Sequence, residues 1–448
     1  MDYGEYIQRL LLKHNVVLTE LSQRIGLKSR NELYRLFYNQ HSYAKAKAIT
    51  DRIVETIDFT NEEKNTIYSL LKATDVKSSV IDARSILSRI FDEDMEPAAK
   101  AKQPSDSKTD VYLGSLKETE RIRAAYEYIL NLNGRVTLSH YVAFSGSEKD
   151  IARELYSVFL FSSLANYNVF LSPKRNYDGL CAVTASRTKN NVYMKIKSKR
   201  RTMTLDTEIN DEMRDFIGHY FDLNKGRPIK KSNDKISEFP EMFKKGLVQF
   251  NSESVALIGG MYLCRIPYDI LCGIFREAGY FGLPEDSEYV VNILKGLKKR
   301  WEGECSRRHK RRMIIDFDRL EEFIETGIPF DRIDGFRPLT YRERLKTLKK
   351  LQEDFDGSDG VKSYRFIKGR INRNIIYTKG HGITVYNSGI AYTSGNYYIN
   401  IDTKKSCDVF DDFIEYIWQT RTYSDEDSRV MMRKLVLKAQ RLAGSETA

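Results

Sequence analysis

The segment LTELSQRIGLKSRNELYRLFY, residues 18–38, carries the clearest structural pattern in the chain. Its apolar residues recur at the three- and four-residue intervals of a helical face, with Gly26 between the two halves of the pattern. A glycine just past a helix end is a frequent helix terminator. The pattern therefore predicts two short helices joined by a tight turn at Gly26. The positions predicted to be buried are Leu21, Ile25, Leu33 and Leu36.

The second helix of this pair is predicted to expose hydrogen-bond donors and aromatic rings. Such side chains suit contacts with phosphate oxygens and with the edges of bases. Residues 1–75 hold eleven Lys and Arg against ten Asp and Glu, so affinity for a polyanion would come from this local face. The predicted contact residues are Lys28, Ser29, Arg30, Asn31, Tyr34, Arg35 and Tyr38.

Eight residues of this segment have the sizes and polarities expected where two helices cross at a turn. They are Thr19, Leu21, Ser22, Ile25, Gly26, Leu27, Ser29 and Leu33. With these residues, the segment about 3–75 resembles the DNA-binding domain of the Xre/Cro and phage-repressor family of bacterial regulators. The interval from Gly26 to Leu33 is one residue longer than the usual family spacing. The resemblance implies an all-α helix-turn-helix domain whose second helix enters the major groove of double-stranded DNA. The alternative is an ordinary αα-hairpin in a helical bundle.

The chain divides by composition into three parts. Residues 1–75 are predicted to form the helix-turn-helix domain, with a capping box at Thr60–Glu63 opening its fifth helix. Residues 76–110 are predicted to be a helix and then a linker, because the stretch 95–110 (MEPAAKAKQPSDSKTD) has two prolines and few large apolar residues. Residues 111–448 are predicted to form a larger α+β region of one or two subdomains, which makes the protein multidomain.

Helix and strand patterns alternate within that larger region. Residues 210–355 are predicted to be mainly helical, between two strand clusters that form either one sheet or two. No internal repeat of fixed period is found. The predicted strand clusters lie at 167–209 and 363–402, and further helices are predicted at 117–132, 147–165, 408–420 and 424–443.

Composition narrows the class of protein. Lys and Arg number 73 against 62 Asp and Glu, a net charge of +11 that favours a polyanionic partner. No apolar run approaches the roughly 18 residues that a membrane span needs, and the N-terminus lacks a signal-peptide pattern. The five cysteines are scattered without CxxC spacing, which favours reduced thiols in a cytoplasm over disulfides or zinc ligands.

Two further segments carry charges in patterns that binding sites use. Residues 295–312 hold nine Lys and Arg with Trp301 and His309 among them, which is typical of a polyanion contact or of a solvated helix end. Asp316 and Asp318 are either metal ligands or part of a helix cap, and the strand-to-helix pattern favours the cap. No catalytic residue, metal site or cofactor is predicted.

These observations predict a cytoplasmic bacterial transcriptional regulator, not an enzyme, that binds double-stranded DNA through residues 1–75. Residues 111–448 are expected to form a homodimer and to sense a small-molecule or protein effector, with no membrane contact. Two alternatives stay open. One is a DNA-targeted enzyme, a nuclease or nucleotide-processing protein of a defence or mobile element. The other is a protein–protein adaptor.

Overall fold

The chain divides into two compact units, an N-terminal unit (Met1–Asp82) and a C-terminal unit (Ala83–Ala448). No helix in the described parts is both long and apolar enough to cross a membrane. The computed structural model describes residues 3–27, 29–37, 43–92, 108–116, 118–132, 135–164, 166–172, 181–186, 191–197, 202–208, 211–223, 226–232, 252–261, 265–277, 309–329, 337–386 and 398–445.

The N-terminal unit is built from helices alone among its described residues. The predicted capping box is confirmed: the Thr60 amide donates to Glu63 Oε2 (3.0 Å) and the Glu63 amide donates to Thr60 Oγ1 (3.2 Å). The two helices predicted on either side of residue 76 form one helix, because no Gly or Pro interrupts the stretch. The helices are α1 (Tyr3–Lys13), α2 (Leu18–Arg24), α3 (Asn31–Phe37), α4 (Tyr43–Thr56) and α5 (Asn61–Asp92), the last of which continues into the C-terminal unit.

The C-terminal unit contains two mixed sheets. Sheet 1 has the order β6-β5-β4-β1-β2-β3-β7, in which β1, β2 and β3 are parallel and the other pairings are antiparallel. Its strands are β1 (Lys108–Leu113), β2 (Arg135–Val142), β3 (Tyr167–Leu171), β4 (Cys181–Ser186), β5 (Asn191–Lys197), β6 (Thr202–Glu208) and β7 (Arg227–Pro228). The helices that accompany it are α6 (Thr119–Asn131), α7 (Glu148–Phe161) and α8 (Asp211–Asp222).

Sheet 2 has the order β11-β10-β9-β12-β13-β14-β8, with β9, β10 and β11 parallel and the remaining pairings antiparallel. Its strands are β8 (Lys230–Ser232), β9 (Ser254–Ile258), β10 (Arg311–Ile315), β11 (Lys362–Phe366), β12 (Asn374–Thr378), β13 (Gly382–Tyr386) and β14 (Tyr398–Ile401). Its helices are α9 (Tyr268–Glu277), α10 (Phe317–Thr326), α11 (Tyr341–Asp356), α12 (Lys404–Thr420) and α13 (Asp425–Ser445).

The same topology occurs twice. Apart from the short strand β8, which precedes the second copy and pairs with β14, each sheet begins with three parallel strands joined by helical crossovers, and a three-stranded antiparallel meander then pairs with the first of them. A helix follows the meander, α8 in one case and α12 in the other, and the chain then pairs antiparallel beside the third strand. Crossovers of different length separate corresponding strands in the two copies. This difference in length explains why the sequence shows no fixed period.

The two copies of this topology are stacked so that the helix after the meander lies on the same side of its sheet in both. Alternate residues of β1 point to opposite faces of sheet 1: Val111 enters a core shared with sheet 2, whereas Tyr112 stacks on Phe221 of α8. The shared core holds α6, α7, α12 and the end of α5, and a second core on the far face of sheet 2 holds α9, α10, α11 and α13. The layers therefore run α8, sheet 1, the shared helices, sheet 2 and the outer helices.

The predicted multidomain architecture, with helices first and an α+β region after them, is confirmed at this level. The region 210–355, predicted to be mainly helical, contains α8, α9, α10 and α11, but it also contains strands that were not predicted, of which β9 and β10 lie inside sheet 2. All five residues of β9 are buried, so its sequence shows no alternation, and a short apolar run of this kind cannot be told from a helix by periodicity. The sequence reading also missed β1 and β2. Residues 108–110 of the predicted linker belong to β1, and 95–107 lie outside the described residues.

Candidate nucleic-acid interface

The turn between α2 and α3 is fixed by backbone hydrogen bonds around Gly26. The Gly26 amide donates to the Gln23 carbonyl (3.1 Å), and the Leu27 amide donates to the Ser22 carbonyl (2.8 Å). This pair of bonds is a Schellman motif, which needs a left-handed residue after the helix cap. Gly26 has φ +67°, a conformation that side chains rarely adopt, so the predicted terminating role of this glycine is confirmed.

The α2–α3 pair is held on the rest of the N-terminal unit by buried groups. The four predicted core residues, Leu21, Ile25, Leu33 and Leu36, are all buried. Ser22 is buried as well, and its hydroxyl donates to the Thr19 carbonyl (2.8 Å). From α4, Arg52 Nη1 donates to the Ile25 carbonyl (3.1 Å) at the end of α2. The direction of α2 is therefore tied to α4 by a specific bond as well as by apolar contact.

Gly4, which the sequence reading did not single out, allows α1 to approach α3 closely. An ideal Cβ built on Gly4 would lie 2.6 Å from the carbonyl carbon of Phe37, and closer still to its oxygen. No real side chain fits that space, so the seating of α3 depends on this glycine. The available signal was a lone glycine in the first turn of an otherwise regular amphipathic helix, where glycine costs helix stability unless packing requires it.

Five of the seven predicted contact residues lie among the described residues, on or next to α3. Ser29, Arg30, Asn31 and Arg35 are exposed, and Tyr34 is half-buried. The Arg30 guanidinium lies 5.4 Å from the centroid of the Tyr34 ring, a cation–π distance. The structure thus brings these five side chains together on one exposed surface. Lys28 and Tyr38 lie outside the described residues.

Elsewhere in the N-terminal unit, many acidic groups are paired with basic groups. Glu5 pairs with Arg9 (2.7 Å), Glu32 with Lys45 (3.3 Å), Asp51 with Lys47 (2.9 Å) and Glu63 with Lys13 (2.8 Å). The hydrogen bond from Lys13, together with the Thr60 amide, lowers the pKa of Glu63 to about 2. These carboxylates remain charged but are neutralised locally.

Three arginines in or next to α2 and α3 lack such a partner. Arg24, Arg30 and Arg35 are exposed, and none forms an ion pair with any residue that the structure describes. The near balance of charge over residues 1–75 therefore conceals a local positive excess at the α2–α3 pair. Arg24, in the last turn of α2, was absent from the predicted contact set, although its place just before the turn is visible in the sequence.

Other candidate sites from the sequence have structural roles where they are described. Asp316 is fully buried and caps α10: its Oδ1 accepts from the Arg319 amide (3.1 Å) and its Oδ2 from the Ile371 amide (2.8 Å). Burial raises the pKa of this carboxyl. The cap interpretation is confirmed. Among the described residues there is no cluster of three or more His, Cys, Asp or Glu side chains able to hold a metal ion.

The basic segment 295–312 is described only from residue 309 onward. Within that part, Arg311 is buried and donates to Ser254 Oγ (2.6 Å), which ties two neighbouring strands of sheet 2 together. Arg312 pairs with Glu415 and lies over the Trp418 ring. Both arginines therefore make contacts within the C-terminal unit. Residues 295–308 lie outside the described residues.

Comparisons with known proteins give no further assignment. No model of a known protein family matches the chain, and no curated protein matches it significantly.

Proposed function

We propose that this protein is a sequence-specific DNA-binding transcriptional regulator of the bacterial cytoplasm. In this proposal the N-terminal unit reads double-stranded DNA through α3, as in the Xre/Cro regulators that the sequence resembles. The C-terminal unit holds copies of the chain together as a homodimer or larger assembly and responds to a small-molecule or protein effector. The protein itself catalyses no reaction.

The observation that carries the proposal is the surplus of unpaired arginines at the α2–α3 pair. An exposed guanidinium with no carboxylate partner costs little to transfer to a phosphate or to a guanine edge, because no existing ion pair must first be broken. Arg30 and Arg35 meet this condition within the described residues, while basic groups such as Lys13 and Lys45 are already paired. Arg30 and Arg35 are also two of the residues that the sequence pattern predicts to contact a polyanion.

The size of α3 also suits a DNA groove. An α-helix with its side chains is about 10–12 Å across, and the major groove is about 12 Å wide. Arginine reads guanine through two parallel hydrogen bonds, and asparagine reads adenine in the same way. In the proposed complex Arg30, Asn31 and Arg35 contact base edges or flanking phosphates, and Ser29 and Arg24 contact the backbone and set the register of α3 in the groove.

A single short helix makes few base contacts, so two copies of the unit are expected to act together. Proteins of this kind read two half-sites about 34 Å apart, one turn of DNA. An effector bound to the C-terminal unit would change affinity by changing the spacing of the two DNA-binding units, without touching the bases.

The test compares two double variants of the full chain. One removes Arg30 and Arg35 from α3 (Arg30→Ala with Arg35→Ala). The matched control removes the same charge from outside α3 (Arg9→Ala with Lys47→Ala), at residues that are exposed and paired with carboxylates. Bound fragments are first selected from genomic DNA with the unmodified chain, and affinities for them are measured by fluorescence anisotropy over a range of salt concentrations.

The α3 variant is expected to lose about 1–3 kcal/mol for each arginine that contacts a base bidentately, and the control variant much less. The dependence of log Kd on log salt should also become shallower in the α3 variant. Equal losses in both variants would refute reading through α3. Unchanged affinity in both, with the helical circular dichroism intact, would assign DNA binding to another part of the chain. Failure of the unmodified chain to select any fragment would point to a protein–protein adaptor instead.

A further inference from the structure

The outer face of α8 carries an apolar stripe that the C-terminal unit leaves exposed. Phe216, Tyr220 and Leu223 are spaced as i, i+4 and i+7, which places them on one side of the helix. Phe216 is 62% exposed and Leu223 is 64% exposed. We call these three residues the α8 stripe. Monomeric proteins rarely expose several large apolar side chains in a row, and such stripes commonly mark interaction surfaces.

The opposite side of α8 is the side that sheet 1 uses. Phe221 is buried and stacks on Tyr112 at a centroid distance of 5.1 Å, and it also contacts Tyr141 at 5.3 Å. Gly218, on the same side, lies close to the Tyr112 hydroxyl. The α8 stripe is therefore distinct from the side of α8 that packs on sheet 1, which already carries Phe221 and Gly218.

In the second copy of the repeated topology, the helix that corresponds to α8 packs against a neighbouring layer. There, α12 takes the place of α8 and is buried from both sides. Phe410 packs edge-on against Tyr377 of sheet 2 (5.5 Å between centroids) and also against Phe159 of α7 (5.8 Å). The helix after the second meander thus stacks on the layer of the preceding copy, whereas α8, the first helix in the series, has no preceding copy among the described residues.

The other end of the stack carries a matching stripe. α13 covers the outer helices, with Met432, Leu435 and Val436 buried against them. On its outer side Val430 and Leu437 are exposed, the latter by 53%. We call these two residues the α13 stripe. It spans the same seven-residue interval as the α8 stripe, about 10 Å of helix.

The two ends also carry opposite charges. α8 contains four acidic residues and one arginine, whereas α13 contains five basic residues and three acidic ones, the latter all in its first turn. Of the basic residues, Arg433 pairs with Asp356, and Lys438 pairs with Glu321 and Glu325. Lys434 and Arg441 are exposed beside the α13 stripe and pair with no carboxylate that the structure describes. The two stripes are of equal length, and the helices that carry them have opposite net charge, which favours contact between the two different stripes over contact between two copies of either one.

We infer that the α8 stripe of one chain binds the α13 stripe of a second copy, so that chains associate head-to-tail and continue the stacking already built into the C-terminal unit. A contact between different surfaces does not close on itself unless a rotation brings the ends together, so the assembly can grow beyond two chains. This inference specifies the self-association within the proposed function. Its test uses no DNA, so that a failure here leaves the reading of DNA by α3 untouched.

The experiment uses two variants of the full chain and their mixture. The α8 variant is Phe216→Asp with Leu223→Asp, and the α13 variant is Val430→Asp with Leu437→Asp. All four positions are exposed, so folding should be retained, and circular dichroism checks this. A control variant, Leu12→Asp with Ile81→Asp, changes exposed apolar residues of the N-terminal unit. Mass is measured by light scattering over a range of protein concentrations.

The unmodified chain and the control are expected to gain mass with concentration. Each stripe variant alone should remain at the 52.1 kDa of one chain, with its dissociation constant raised by roughly tenfold or more. An equimolar mixture of the two stripe variants should give twice that mass and no more, because one intact α8 stripe meets one intact α13 stripe.

Other results overturn the inference. If only the α8 variant dissociates, the contact joins two α8 helices across a two-fold axis. If neither variant dissociates, another surface holds the chains together. An unmodified chain that stays at 52.1 kDa at every concentration also rejects it.

Discussion

Replacing Gly4 by alanine should disrupt the contact between α1 and α3 more than any other single methyl group added to the N-terminal unit. The new Cβ would lie 2.6 Å from the carbonyl carbon of Phe37, whereas two carbon atoms in contact are normally about 3.5–4.0 Å apart. The opposing atoms belong to the backbone, so no side-chain rotation relieves the overlap. The two helices must therefore separate by about 1 Å.

The magnitude follows from two opposing effects. Overpacking of this kind costs about 1–3 kcal/mol, and a gap of up to 1 Å forfeits a quarter to a half of each affected contact. Alanine returns at most about 1 kcal/mol through its higher helix propensity. We expect a net loss of about 1–2 kcal/mol in the free energy of unfolding of the N-terminal unit.

Urea unfolding of the full chain measures this loss. Far-UV circular dichroism follows the helices of both units, whereas tryptophan fluorescence follows the C-terminal unit alone, because Trp301 and Trp418 are the only tryptophans in the sequence. The N-terminal unit is therefore followed by the part of the dichroism change that has no counterpart in the fluorescence. The matched control is Gly273→Ala in α9, where an added Cβ would meet nothing within 4 Å and only the propensity gain applies. Gly273→Ala should leave the free energy of unfolding unchanged or raise it.

Gly4→Ala should lower the midpoint of the dichroism transition and leave the fluorescence midpoint in place. A Gly4→Ala chain as stable as the unmodified one would mean that α1 and α3 are not in the close contact described.

Three further predictions concern acid and proteolysis. Lys13 holds the pKa of Glu63 at about 2, below the unfolded value of 4.5, so the Glu63 carboxylate stabilises the fold above pH 4.5 and loses this effect as the pH falls towards 2. Glu63→Gln should make the midpoint of the dichroism transition less dependent on pH in this range. Burial lowers the pKa of His140 to about 3, against 6.5 in the unfolded chain, so the C-terminal unit should lose stability as the pH falls from 6.5 towards 3. His140→Gln should remove this loss, as measured by the fluorescence transition. Limited proteolysis should cut within 95–107, but the fragments should elute together until denatured, because Ala83–Phe91 includes buried residues of the shared core.

Each of these has a clear contrary result. An unchanged acid limb in Glu63→Gln would assign the acid sensitivity of the N-terminal unit to other carboxylates. A pH dependence that persists in His140→Gln would mean that protonation elsewhere drives it. An N-terminal fragment that leaves the column alone would show that the end of α5 does not hold the two fragments together.

The sequence by itself determined the local features of this protein. The α2–α3 pair, its turn at Gly26, the capping box at Thr60 and the cap at Asp316 were all predicted, and the structure has them where predicted. Each depends on residues within about five positions of one another, so that helix periodicity, a left-handed glycine or a side-chain acceptor is enough to specify it. The exposed positions of Arg30 and Arg35 follow from the same periodicity.

Only the tertiary structure decided the rest, because the decisive contacts join residues far apart in the chain. β9 is a strand because β10 and β12 flank it, not because of any alternation in its five residues. Gly4 matters because Phe37 lies against it, and Glu32 of α3 pairs with Lys45 of α4, which is distant in sequence. The repeated topology depends on parallel pairings across long crossovers, whose differing lengths leave no period in the sequence. Such pairings are set by which surfaces can be buried together, a property of the folded chain and not of any local segment.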